Sequence, residues 1–144
     1  MKYYLIQFIL GYFATMSFSF IYNTPKKMIN SASVVGGLGW IINKYIFLLT
    51  GNMLLPGFIA AFVIGSLSEI LARKKYTPSI TFFIPAIIPL VPGAGMYYTM
   101  YNLILQDYIA FAQKGIETFT VALAIAMGIY LSTSLSNSIK GLTK

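Results

Sequence analysis

The chain has 144 residues, of which 58% are hydrophobic and 9% charged, with ten Lys or Arg against three Asp or Glu and a net charge of +7. Soluble domains carry roughly 25% charged residues, so this composition, with a mean hydropathy of +0.77, belongs to segments that face lipid. Zero Cys and zero His exclude a disulfide frame, thiolate or imidazole metal sites and the usual His or Cys catalytic groups, and no cofactor is expected.

Five apolar stretches, residues 3–22, 28–49, 54–72, 79–106 and 118–138, are each long enough to cross a hydrocarbon layer of roughly 30 Å at 1.5 Å per residue. Their connectors are short and free of Pro/Gly/Ser-rich or low-complexity runs, so residues 1–144 read as a single transmembrane domain. None of the stretches alternates with the period of two that a membrane β-barrel needs. The expected fold is an all-α integral membrane protein with five transmembrane helices, the fourth discontinuous.

The first stretch reads as a retained helix. It exceeds the 7–15 residue core of a signal peptide, shows no A-x-A site, and its basic pair, Lys26 and Lys27, follows it. Small residues recur every four positions on several spans: Gly11, Thr15 and Ser19; Ser33 and Gly37; Gly57, Ala61 and Gly65; Ala124, Gly128, Ser132 and Ser136. Such stripes let helix backbones approach closely in lipid. In the second stretch, Lys44 is expected to snorkel to the membrane surface beside Asn43.

The third stretch carries Glu69, the one acidic residue placed inside a span. An intramembrane carboxylate is a functional candidate by default. Arg73 lies four residues on and is positioned to pair with it, so two readings stand: a structural ion pair, or a group that couples transport to protons or substrate.

In the fourth stretch, Pro85, Pro89, Pro92, Gly93 and Gly95 interrupt the apolar run. Proline removes a backbone donor and clashes with the preceding turn, so residues 89–92 are expected to be extended, with a second half-helix starting near Gly93. Lipid cannot satisfy the freed backbone groups, and such a break should be buried in protein or line a wet cavity. The glycines allow close approach to the backbone, and the first-turn N–H groups of a helix favour an anion such as a carboxylate. Pro89, Pro92, Gly93, Ala94 and Gly95 are therefore the candidate substrate-binding segment, with Tyr97, Tyr98, Tyr101 and Asn102 within about two turns; Tyr98, Tyr101 and Asn102 share a face by spacing. The competing reading is a proline-kinked helix whose tyrosines form an interfacial belt.

With five crossings, Lys26, Lys27, Arg73, Lys74, Lys75, Lys140 and Lys144 share one side and Lys2, Lys44 and Lys114 the other, seven against three. The positive-inside rule then orients the chain N-out and C-in. A re-entrant fourth segment would change the split to six against four, a weaker asymmetry. The cations sit at segment ends rather than on one face with stacking aromatics, so the bilayer, not nucleic acid, is the expected environment.

The order of N-T-P-K-K at residues 23–27, G-G-L-G-W at 36–40, S-E-I-L-A-R at 68–73 and P-A-I-I-P-L-V-P-G at 85–93, with Tyr97 behind it, resembles the threonine/serine exporter family. It is similar to the small, C-terminal-half subunit of the split form, over nearly the whole chain. The resemblance implies a bacterial inner-membrane secondary exporter of about ten spans. A second membrane subunit would supply the other half, and the substrates would be threonine and serine or a dicarboxylate such as succinate. Glu69, Pro89, Pro92, Gly93 and Tyr97 are the residues carried over.

Two other classes bear on the reading. An intramembrane enzyme would need a nucleophile, base or metal set, whereas the acids are Glu69, Asp107 and Glu117 and there is no G-x-S-x-G, H-E-x-x-H or phosphate loop. Five spans seldom enclose a path alone, so assembly with a partner, or as a homo-oligomer, is expected. A non-transporting accessory or assembly subunit of another membrane complex is the alternative function.

Overall fold

The computed structural model describes residues 2–142, and every regular element among them is helical. In chain order these are α1 (Lys2–Ile21), α2 (Lys26–Thr50), α3 (Leu54–Lys75), α4 (Ile80–Ile87), a 3-10 turn (Ile88–Leu90), α5 (Gly93–Ile104) and α6 (Tyr108–Leu142). Helices α1, α2, α3 and α6 are each long and apolar enough to cross a membrane; α4 with its 3-10 turn and α5, bent by 49° at the break, supply a fifth span if counted as one. The protein is an all-α membrane protein whose fourth apolar segment is discontinuous.

The connectors are short because each carries its own stop and start signals. α1 ends where Asn23 turns left-handed (φ 51°), the Thr24 N–H donates to the Ser19 carbonyl at 2.9 Å, and Pro25 follows. α2 ends at Gly51 (φ 63°), a conformation that needs no side chain, and the Asn52 side-chain oxygen accepts the Leu54 N–H at 2.9 Å to open α3. α3 ends at Tyr76 (φ 50°), and its last turn holds Arg73, Lys74 and Lys75, where the helix dipole favours cations.

One boundary differs markedly from the expected 118–138. The Asp107 carboxylate accepts the Ala110 N–H at 3.0 Å and caps α6 ten residues earlier, at Tyr108. Its 35 residues make a helix about 52 Å long, against a hydrocarbon layer of roughly 30 Å. The connector after α5 shrinks to residues 105–107. A second difference lies at the break: Pro89 sits inside the 3-10 turn, and only Val91 (ψ 131°) and Pro92 (ψ 59°) depart from helical dihedrals. A 3-10 turn accommodates Pro89 because a proline in the first turn withholds a donor that would be orphaned anyway.

Small side chains set the packing. The buried face of α1 is the stripe Gly11, Thr15 and Ser19; a Cβ on Gly11 would stand 2.7 Å from that of Trp40, and one on Gly37 would stand 2.8 Å from the Phe8 ring. Gly39 of α2 receives Ile64 of α3, while Gly57, Gly65 and Gly128 bring α3 and α6 together. In lipid, helices associate through such close van der Waals contact rather than through exclusion of water. The core they enclose is thin: Ala60, Ala61, Ile64, Ala86, Leu90 and Ile125. Three of the buried hydroxyls are satisfied within their own helices, Thr15, Ser19 and Ser33 each donating to the carbonyl four residues back at 2.8 Å. Helix α4 packs between α2 and α3, whereas α5 has no buried residue and rests principally on α6. Lys144 of the charge split lies outside the described residues.

The α3–α6 seam yields a test of this packing. A methyl at Gly128 meets backbone, the Phe58 carbonyl and the Phe62 N–H, whereas one at Gly57 meets only side chains, the nearest being Ile125 Cγ1 at 3.2 Å. Gly128→Ala is expected to destabilise the detergent-solubilised protein by about 1–3 kcal/mol and Gly57→Ala by clearly less, read as the drop in thermal midpoint. Equal midpoints for the two variants would contradict the seam.

Candidate functional site

At the break, the Val91 N–H donates to the Ile88 carbonyl at 3.0 Å and the Gly93 N–H to the Val91 carbonyl at 2.7 Å. Met96 returns to the Pro92 carbonyl at 3.1 Å, and among the described residues the N–H groups of Ala94 and Gly95 have no backbone acceptor. Helix α5 therefore opens with two free donors, no side-chain cap and no acidic residue in its first turn. Ala94 and Gly95 belong to the segment 89–95 that lines the floor of a cleft of about 350 Å³.

Three helices wall the cleft. α2 contributes Trp40, Asn43, Lys44 and Phe47; α3 contributes Pro56, with Met53 just before it; α6 contributes Lys114, Glu117, Thr118 and Val121. Trp40 is pinned by a hydrogen bond from its indole Nε1 to Gln7 Oε1 at 2.8 Å, and Lys44 Nζ stands 4.7 Å from the centre of its ring. Lys114 Nζ pairs with Glu117 Oε2 at 2.7 Å. Of the candidate residues, Pro89, Pro92, Gly93, Ala94, Gly95 and Tyr98 line this cleft.

Tyr97, Tyr101 and Asn102 are not among its lining residues. Tyr97 and Tyr101, four residues apart, stack on each other at 6.1 Å on an exposed face of α5, and the Tyr97 ring also meets that of Tyr98 edge-on at 5.3 Å. Gly93 and Gly95 also differ in role. A Cβ at Gly93 would meet nothing within 4 Å, whereas the bare backbone of Gly95 is what lets α5 sit against Thr118 of α6.

Glu69 and Arg73 belong to a second cavity, of about 440 Å³, bounded by Tyr76 and the turn before α4. Pro56 of the cleft and Glu69 are 13 positions apart on α3, about 20 Å at 1.5 Å per residue. Ser136 of α6 bridges the pair: its Oγ donates to Glu69 Oε2 at 2.9 Å and accepts from Arg73 Nη2 at 2.7 Å, and Arg73 also reaches the Ser136 carbonyl at 3.0 Å. Glu69 is 8% exposed. Between the two cavities lie Ile64, Phe82 and Ala86, all without solvent exposure, and Ser68, whose buried Oγ has no hydrogen-bond partner among the described residues. No group of three His, Cys, Asp or Glu suited to a metal occurs among the described residues.

Residue spacing alone did not bring Asn43, Lys44, Lys114, Glu117 and Thr118 to the break, nor Ser136 to Glu69. The available signals were Asp107 as a helix start, which carries Lys114 and Glu117 onto α6 instead of a connector, and the small-residue stripe that puts Ser136 on the α3 side of that helix.

The family model described as Threonine/Serine exporter, ThrE, matches residues 7–135. The chain belongs to the threonine/serine exporter family. A protein of Haemophilus influenzae described as uncharacterized is 24% identical over 102 residues, covering 71% of this chain and 34% of that protein. The chain thus spans about a third of the length of the curated relative it matches. No solved structure matches it.

The Glu69–Ser136–Arg73 bridge generates a second prediction. Ser136→Ala removes the hydroxyl that joins the buried Glu69 carboxylate to the exposed Arg73 and is expected to cost about 1–3 kcal/mol, while Ser134→Ala, at an exposed position, changes little. Thermal unfolding in detergent reads both, and an unchanged midpoint for Ser136→Ala would refute the bridge.

Proposed function

We propose that the chain is one subunit of a secondary exporter in a bacterial cytoplasmic membrane, moving threonine, serine or a related small carboxylate-bearing metabolite out of the cell. The observation that carries this reading is the cleft at the helix break, in a chain of the threonine/serine exporter family. Free N–H groups at the start of α5 suit a carboxylate, and Asn43, Thr118 and Tyr98 offer hydrogen bonds to its other polar groups. Tyr97, Tyr101 and Asn102, outside the cleft, would meet substrate only after a movement of α5 or at the surface of a second membrane subunit that completes the path.

Orientation follows from the charge split. Lys75 Nζ donates to Ser31 Oγ at 2.6 Å, which supports placing the ends that carry Lys26, Lys27 and Arg73–Lys75 on one side; that side is the cytoplasm by the positive-inside rule. The N-terminus is then outside and the C-terminus inside, with the cleft toward the outer face and the Glu69 cavity toward the inner one. Glu69, able to take up a proton beside Arg73 and Ser136, would link export to the proton gradient.

Gly93 gives a clean test, because a side chain there meets nothing in the fold. In cells that carry the complete exporter, Gly93→Leu should assemble normally and lower threonine efflux at least tenfold, and Glu69→Gln should remove the pH dependence of efflux. If Gly93→Leu and Pro92→Ala both assemble and export at wild-type rates, the cleft is not the transport site and an accessory role replaces it. A reporter fused at the C-terminus that proves periplasmic would reverse the orientation.

A further inference from the structure

The cleft holds three charged side chains, and none comes from the Pro/Gly segment: Lys44 of α2, and Lys114 and Glu117 of α6. The side chains of Lys114 and Glu117 are 36% and 46% exposed, and pairs so open to solvent contribute little to stability. Their placement is more informative than their strength. They share the cleft with the apolar Val121 and Met53 and with Lys44, whose Nζ stands over the Trp40 ring at 4.7 Å. A cleft built only to attract carboxylates has no use for a carboxylate of its own.

We infer that Glu117 reads the α-ammonium group of a zwitterionic amino acid while Lys44 and Lys114 read its carboxylate, so that Glu117 is the residue that separates amino acids from organic acids of the same size. The inference rests on the cleft being the transport site. A carboxylate offers about four lone-pair positions on two oxygens, so the substrate ammonium joins Lys114 on Glu117 without breaking the 2.7 Å pair. The three side chains sum to +1 before and after a neutral zwitterion binds. A dicarboxylate brings its second negative group toward Glu117, a like charge in a partly desolvated cleft, and is disfavoured. Neutralising Glu117 raises the local charge to +2 and removes that penalty.

The probes are threonine and 2,3-dihydroxybutanoate, which replaces the ammonium by a hydroxyl and keeps the carboxylate and carbon chain. Efflux of each is measured from proteoliposomes holding the complete exporter. Wild type should prefer threonine, and Glu117→Gln should lower the threonine-to-hydroxy-acid ratio at least tenfold, chiefly by losing threonine. Lys44→Gln should lower both alike and leave the ratio near wild type. An unchanged ratio in Glu117→Gln overturns the inference, and so does equal loss of both compounds, which would make Glu117 a folding or cycling residue. Gly93→Leu, run in parallel, separates the two levels: if it transports both probes normally, the cleft itself is misassigned, whereas its loss together with an unchanged Glu117→Gln ratio removes only the role of Glu117.

Discussion

Lipid offers no partner to a backbone N–H or C=O, and the fold is organised around that fact at one place. Between Ile88 and Met96 the chain leaves the helical hydrogen-bond pattern, and the groups left over are few because Pro89 and Pro92 bring no donor at all. Val91 and Gly93 close tight local turns, which reduces the unpaired donors to the N–H groups of Ala94 and Gly95. Those two open on a cleft walled by α2, α3 and α6. The polar and charged side chains of Asn43, Lys44, Lys114, Glu117 and Thr118 make that cleft wet enough to be tolerated. Without them the same break would expose backbone to an apolar wall at several kcal/mol per group.

The rest of the bundle is arranged to bring those walls together. Glycines on α1, α2, α3 and α6 let the helices approach until side chains touch backbone, as Gly128 does against Phe58 and Phe62. The core therefore holds alanines where a soluble bundle would hold leucines, and the α2–α3 and α3–α6 seams fix the two sides of the cleft independently of α5. Helix α5 itself buries nothing and leans on α6 through Gly95 and Gly115, against Thr118 and Thr99. It is the least anchored of the helices that border the cleft.

The architecture was largely legible in the sequence because its determinants are local. Apolar length, the proline cluster and four-residue stripes each act within one helix, and Gly11, Thr15 and Ser19 indeed form a buried face. What escaped was non-local or capped by a single residue. Asp107 starts α6 ten residues before its apolar run begins, since Tyr108–Glu117 is too polar to read as span yet has no helix breaker. That shift turns Lys114 and Glu117 from connector charges into a cleft wall. Spacing grouped Tyr98 with Tyr101 and Asn102, but which helical face meets the cleft depends on the 49° bend, a tertiary quantity. Spacing also did not show that Lys44 and the Trp40 ring beneath it, held by Gln7 on another helix, line the cleft.

The two cavities and the layer between them constrain any mechanism of passage. Ile64, Phe82 and Ala86 are fully buried between the cleft and the Glu69 cavity, so a solute at one does not reach the other while these side chains stay packed. Two of the three, Phe82 and Ala86, belong to α4, an eight-residue helix that ends at the break itself. α4 is held by its packing against α2 and α3, and the link from it to α5 is a 3-10 turn followed by the two non-helical residues Val91 and Pro92. Ser68 fits the same scheme: its buried hydroxyl lacks a partner among the described residues in this packing, which costs about 1–3 kcal/mol. Any arrangement that admits water or a polar solute beside Ser68 recovers part of that energy. The proline break thus leaves donors beside the cleft, and α4, which ends one 3-10 turn before it, supplies two of the three side chains that separate the cleft from the Glu69 cavity.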